Sequence, residues 1–162
     1  MGAQEDAMNE TVVVQSPVGY VHMLFEDGDI VGINITERGR VTGRIPQYAA
    51  EGVKELDAYF AGSLRSFTIR FRFPQGTVFQ QEVWRALLTI PYGETRSYGW
   101  VAATVGSPRA ARAVGQAVGR NPLPVIIPCH RIIASNGSLG GFSCGVRVKK
   151  CLLELEQAGI GR

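Results

Sequence analysis

At Pro74-Gln75-Gly76 the hydrophobic pattern of this chain changes period, and that change limits the folds open to it. Before the break the pattern is that of strands. Residues 11–14, 20–25 and 30–35 are rich in β-branched and aromatic side chains, with turn-forming clusters at 16–19 and 26–29 between them. That arrangement predicts an antiparallel meander. Val53, Leu56 and Phe60 recur at helical intervals and predict a helix over 49–61, closed by Gly62-Ser63. Phe67, Ile69, Phe71 and Phe73 alternate with Thr68, Arg70 and Arg72, the pattern of a half-buried strand.

After the break the period is helical. Thr77 followed by Gln80 forms a capping-box signature, and Phe79, Val83, Trp84, Leu87 and Leu88 make the apolar face of the helix it opens. A short helix is predicted over 97–105. Gly106-Ser107 is the turn, with Ser107 as N-cap and Pro108 at the first position of the next helix. That helix carries Ala110, Ala111, Ala113, Gly115 and Ala117 together with Arg109 and Arg112. Two short helices joined by a tight turn form a helix-turn-helix pattern, and small side chains let a helix backbone approach another surface closely, be it a helix or DNA. A final helix places Val148, Cys151, Leu152 and Leu155 on one face, so Cys151 reads as core. Glu156 lies beside that stripe, either as an exposed helix-end carboxylate or as an acid turned toward His130.

Charge divides the chain at nearly the same place. Residues 1–94 carry 8 basic and 12 acidic side chains, whereas residues 95–153 carry 8 basic and no acidic ones. A basic second half suits a polyanion, nucleic acid first of all. The 162 residues suffice for a sizeable core, and no apolar run is long enough to span a bilayer. Residues 1–10 are polar and acidic and lack the features of a signal peptide, so they are expected to form a loose leader of a cytoplasmic protein. Three cysteines and two histidines, without a Cys-x-x-Cys pair, argue against a disulfide framework and a structural zinc site.

The chemistry concentrates in 121–131, Asn-Pro-Leu-Pro-Val-Ile-Ile-Pro-Cys-His-Arg. Val125, Ile126 and Ile127 are expected to form a buried extended segment that Pro128 stops, holding Cys129 at the edge of the core. A free cysteine is ordinarily a small buried hydrophobe. Here His130 and Arg131 follow directly, poor core material, and a nearby imidazole can help ionise the thiol to the nucleophilic thiolate. Adjacency alone does not pair the two side chains, because neighbours on an extended backbone point to opposite faces. Gly137, Gly140 and Gly141 then mark special backbone angles, close approach to a ligand, or a plain surface loop.

Taken together, Pro128-Cys129-His130-Arg131, the preceding Asn121-Pro122, the following glycine-rich loop and Arg109-Ala110-Ala111-Arg112-Ala113-Val114-Gly115 resemble the O6-alkylguanine-DNA alkyltransferases. The motifs cover about 77–160; over 11–73 the similarity is in strand order and length. The resemblance implies an α/β fold. A leader (1–10) precedes a small antiparallel-sheet, ribonuclease H-like domain (11–73). A linker (74–76) leads to a mainly helical, winged helix-turn-helix-like domain (77–162). It implies direct-reversal repair: one irreversible transfer of an alkyl group from O6-alkylguanine, and from O4-alkylthymine, in double-stranded DNA to Cys129, without metal or cofactor.

In that reading His130 is the general base through a bridging water, Glu156 orients it and Asn121 braces the turn. Arg112 fills the gap left by the flipped base and Tyr98 promotes its rotation. Ser107, Ser135 and Arg131 lie along the DNA. Val118, Pro124 and Phe142 line the alkyl pocket, and Ser143 offers a backbone N–H to O6. The family resemblance further implies a monomer, with cooperative assembly on DNA, in the cytoplasm and at the nucleoid of a prokaryote. Cys144 stands where the family pattern leads one to expect glycine. Two other readings use the same residues: a module that binds alkylated bases without repairing them, whose known forms lack the cysteine, and a Cys-His hydrolase, which needs an oxyanion site.

Overall fold

A computed structural model describes residues 9–161. The meander is there, and its first strand begins inside the expected leader. Strands β1 (Asn9–Ser16), β2 (Gly19–Glu26) and β3 (Asp29–Thr36) form an antiparallel sheet in that order. Asn9 pairs with Glu26 and Glu10 with Phe25, so these two residues are sheet; the rest of the leader lies outside the described residues. One face buries Val12, Val14, Val21, Met23, Ile33 and Ile35 against helix α1 (Ala50–Phe60) and the second half of the chain. Gly52 lets α1 come close, since a Cβ there would lie 3.1 Å from Met23 and 3.2 Å from Ile30. Gly62, at φ +79°, ends the helix region, its N–H bonded to the Tyr59 carbonyl.

The strand expected over 67–73 does not form a ladder. Its alternation is kept, with Phe67, Ile69 and Phe71 turned inward, but it makes one bridge to the sheet, Phe71 with Ile30. The reason lies in its donors. The N–H groups of Thr68 and Ile69 go to the Glu55 carboxylate on α1, at 3.0 and 3.1 Å. Arg70 and Arg72 point instead at the acidic β2–β3 turn, pairing with Asp29 and Glu26.

The second half is helical: α2 (Val78–Leu87), α3 (Tyr98–Thr104), α4 (Ala111–Gly119) and α5 (Val146–Ile160). Both halves of the capping box are present at Thr77 and Gln80. Ser97 caps α3 through the Trp100 N–H at 3.1 Å. Ser107 does not cap α4. It opens a separate turn, closed by the Ala110 N–H on its carbonyl at 2.8 Å, and Ala110 at φ −96°, ψ 26° interrupts the helical path. Pro108, Arg109 and Ala110 therefore precede α4. Trp84 on α2 donates its indole N–H to the Ala117 carbonyl at 2.9 Å, locking α2 to α4.

Two short parallel strands, β4 (Arg96–Ser97) and β5 (Ile132–Ile133), join the start of α3 to the segment that follows Cys129. The edge of β3 docks on the second half through the Ile33 N–H and the Pro122 carbonyl at 2.9 Å. One cluster of buried apolar side chains extends from Val12 to Leu152 across both halves. Among the described residues no helix is long and apolar enough to cross a membrane, and no group of three His, Cys, Asp or Glu is placed to hold a metal ion.

Candidate active site

Residues 121–131 are buried, apart from the half-buried Pro122, but 125–127 is not the extended segment that the sequence pattern suggests. Prolines at 122, 124 and 128 remove three N–H groups, so a strand ladder has little to bond with. Asn121 replaces it. Its Oδ1 accepts the Leu123 N–H at 2.9 Å and its Nδ2 donates to the Ile127 carbonyl at 2.8 Å. The Ile127 N–H closes on the Leu123 carbonyl at 2.8 Å. The chain doubles back inside this loop with Val125 at φ +78°, a conformation strained for a β-branched residue. Cys129 then opens a single 3-10 turn, Cys129–Arg131, in which successive side chains diverge by a third of a turn.

That divergence separates Cys129 from the ring of His130. The imidazole is wholly buried, and its Nε2 lies 2.5 Å from Oε2 of Glu156. Glu156, 1% exposed, is turned toward His130 and is not a solvated helix end. Its Oε1 accepts Arg131 Nε at 2.7 Å and the Gly93 N–H at 3.0 Å. Its Oε2 accepts Arg131 Nη2 at 3.1 Å and the Tyr59 hydroxyl at 2.6 Å, besides His130.

Arg131 is therefore misplaced in a DNA-contacting set. It is 7% exposed, and its remaining Nη1 donates to the Ile90 carbonyl at 2.7 Å. Every guanidinium nitrogen is engaged inside the protein, which is also how so polar a residue becomes core.

These contacts set the protonation states. Burial opposes the charge on Glu156, yet hydrogen bonds from His130 and Arg131 hold its carboxyl well below the usual range. An ionised Glu156 only accepts, so the proton of neutral His130 sits on Nε2. Burial keeps the ring neutral, pulling its pKa down against the attraction of Glu156. Nδ1 is then a bare lone pair, buried and without a hydrogen-bond partner among the described residues. The Cys129 thiol is not ionised at rest: burial pushes it up to about 12, opposed by a hydrogen bond from Asn121 and the charge of Lys149. At rest the site therefore holds a protonated thiol and a neutral imidazole.

A concavity of about 330 Å³ is lined by Tyr98, Gly115, Val118, Gly119, Gly141, Phe142 and Ser143. It joins α4 to the glycine-rich loop, where Gly137 and Gly140 take φ +85° and +69°. The small residues of α4 thus serve two surfaces: Ala117 packs against Trp84, while Gly115 and Gly119 form a pocket wall. Tyr98 ties this pocket to the thiol, since burial and then the charge of Cys129 oppose its ionisation. Pro124, like Cys129, is buried in the loop behind this concavity. Arg112 is exposed, as are Ser135 and Ser143, and Ser107 is half-buried. Cys144 is half-buried in the loop, while Cys151 is only half-buried on α5 and borders a groove with Pro17, Phe60 and Leu155. His22 is paired with Thr36 at 2.8 Å.

Two residues escaped the sequence reading. Lys149 is fully buried, and its ammonium binds the carbonyls of Ile132 (2.5 Å), Leu139 and Gly141 (3.3 Å), fastening the glycine-rich loop to α5. The signal was available: Lys149, Leu152 and Glu156 share one helical face, so the inner stripe of α5 carries two charges. Tyr59 gave no such signal, because a tyrosine on an apolar stripe looks like packing.

Residues 78–158 match the family model described as 6-O-methylguanine DNA methyltransferase, DNA binding domain. A methylated-DNA–protein-cysteine methyltransferase of Methanosarcina acetivorans is 41% identical over 151 residues, covering 89% of this chain and 96% of the relative. The chain belongs to the methylated-DNA–protein-cysteine methyltransferase family. Structures of the family agree with its fold. The Mycobacterium tuberculosis O6-methylguanine methyltransferase superposes with a TM-score of 0.84 at 42% identity, over 93% of this chain and 94% of that one. The same organism's protein in complex with DNA gives 0.83 at 43%, over 92% and 93%. The methyltransferase of Pyrococcus kodakaraensis gives 0.73 at 26% identity, over 91% and 99%.

Proposed function

We propose that this protein repairs DNA by direct reversal, moving the alkyl group of O6-alkylguanine, and of O4-alkylthymine, onto Cys129 in one irreversible turnover. The observation that carries the reading is the buried Cys129 thiol in the same site as a neutral His130 whose Nε2 is held by Glu156 and whose Nδ1 is free to accept. The sulfur attacks the alkyl carbon, the S–C bond forms and the C–O6 bond breaks. The thiol proton passes through a bridging water to Nδ1 and is finally balanced by protonation of the released guanine. A thioether has no easy hydrolytic exit, so each molecule acts once. A thiol kept protonated until a base fills the pocket protects a reagent that cannot be replaced.

The reacting O6 lies on a base-pairing edge, so the nucleotide must leave the stack, at a cost of a few kcal/mol. Arg112 enters the duplex in its place, and the exposed small residues Ala111 and Ala113 beside it let α4 approach the groove closely. Tyr98 promotes the rotation, Ser107 and Ser135 lie near phosphates, Val118 and Phe142 take the alkyl group, and Ser143 donates its backbone N–H to O6. Pro124 stands with Val118 and Phe142 around the alkyl group, whereas Arg131, held inside the protein, drops out of the DNA contacts. Residues 11–73 and 77–162 are the two domains of this reading, packed on one core. The protein works as a monomer that assembles cooperatively on duplex DNA, in the cytoplasm at the nucleoid.

Incubation with a duplex carrying O6-methylguanine tests this by intact-protein mass and peptide mapping. One methyl group on Cys129, absent in Cys129→Ser, is expected. Folded protein that binds the lesion and gains no methyl would make it a recognition module, and repeated turnover of a simple ester would make it a hydrolase.

A further inference from the structure

Tyr59 lies on α1, in the half of the chain that carries neither Cys129 nor the pocket. Its side chain is completely buried, where a phenylalanine would pack equally well. Its hydroxyl nevertheless reaches Oε2 of Glu156 at 2.6 Å, the same oxygen that holds His130 Nε2 at 2.5 Å and Arg131 Nη2 at 3.1 Å. A carboxylate oxygen has two lone pairs, so three donors share what two could fill. Whatever Tyr59 draws from that oxygen is withheld from His130. We infer that Tyr59 is a positioning residue of the alkyl transfer, which sets the basicity of His130 from across the molecule by competing for Glu156. This deepens the function proposed above and rests on His130 as its base.

The consequence has a definite sign. Donation from Tyr59 spreads the charge of Glu156, weakens its pull on the His130 proton, and helps keep the imidazole neutral. The other groups facing His130 are fixed in the comparison: Glu156 and Lys149 from α5, Arg131 and Cys129 from its own turn, with Tyr92 packed edge-on to Tyr59 at 6.2 Å. Removing the hydroxyl leaves Glu156 more charge for the ring, so the imidazolium persists to higher pH. The N-terminal half is then part of the acceptor site, because α1 must dock before the base has its working strength.

Tyr59→Phe removes one oxygen and keeps the packing. Two readouts are taken on wild type and variant: the NMR titration of the His130 ring, one of only two histidines in the chain, and the pH dependence of single-turnover transfer from an O6-methylguanine duplex. The expected result is an upward shift of both the His130 titration and the acidic limb of the rate by about half a unit, which is about threefold in rate on that limb. Replacing Tyr59 with a ring-fluorinated tyrosine, a stronger donor, shifts both the other way. Opposite shifts from the two substitutions are not what a general packing defect produces. Unmoved titration and rate limb in folded Tyr59→Phe, or shifts of the same sign in both substitutions, overturn the inference. Because the titration needs no reaction, absence of methyl transfer in the wild type would refute the proposed function separately.

Discussion

Replacing Glu156 with glutamine removes a charge on which five donors converge, and the size of the loss follows from their geometry. The carboxylate receives Tyr59, His130, Gly93 and two nitrogens of Arg131 within 2.5–3.1 Å. A glutamine of the same shape keeps one oxygen and turns an NH2 group toward the others, so at least two donors lose their acceptor. Arg131, 7% exposed, keeps the Ile90 carbonyl but no counter-charge. Breaking a buried ion pair from one side costs about 3–5 kcal/mol. The surviving Ile90 bond places Glu156→Gln near the lower end, about 3 kcal/mol, a large share of the roughly 5–15 kcal/mol that stabilises a typical domain.

Urea unfolding measures it, with an unchanged slope and a midpoint lowered by about 1 M or more. The loss depends on pH with a definite sign. The folded carboxyl titrates below its unfolded value, so its stabilisation is complete above about pH 5 and fades as pH falls toward the folded value. The gap between wild type and Glu156→Gln should therefore narrow in acid. A neutral-pH difference below about 1 kcal/mol, or a gap that widens in acid, would refute the reasoning that this carboxylate is a buried, paired charge.

Asn121→Ala leaves the Leu123 N–H unpaired and the Ile127 carbonyl with the Cys129 N–H alone, so a loss of about 1–3 kcal/mol in thermal or urea unfolding is expected, with slower methyl transfer because the Cys129 thiol also loses a donor. Lys149→Met strips the ammonium from three carbonyls; faster amide exchange over 139–141 and slower transfer should appear together, and exchange unchanged from wild type would argue against the fastening role. Arg112→Ala changes an exposed side chain, so stability should stay within about 0.5 kcal/mol. Duplex affinity should fall with a salt slope reduced by about one, and an unaltered slope would remove Arg112 from the DNA interface.

What the sequence alone determined is periodic or local. The meander, α1, the capping box of α2 and the helices on either side of Gly106 follow from patterns a few residues long. Cys129, His130 and Asn121 were legible because an unusual string of prolines and polar residues interrupts an apolar run. Glu156 was visible only as a choice between solvent and His130. Tertiary structure decided that choice, because a carboxylate enters the core only when enough donors meet it there, and they come from α1, the Pro91-Tyr92-Gly93 turn and the Cys129 turn, far apart in the chain.

The same physics moved Arg131 from the DNA surface into the interior and bent 67–73 off the sheet toward Glu55. It also kept the Cys129 thiol protonated, since burial depends on what packs around the sulfur and not on which residue follows it. Charges, turns and periods are written in order along the chain; the partners that neutralise a buried charge are chosen only when the chain folds.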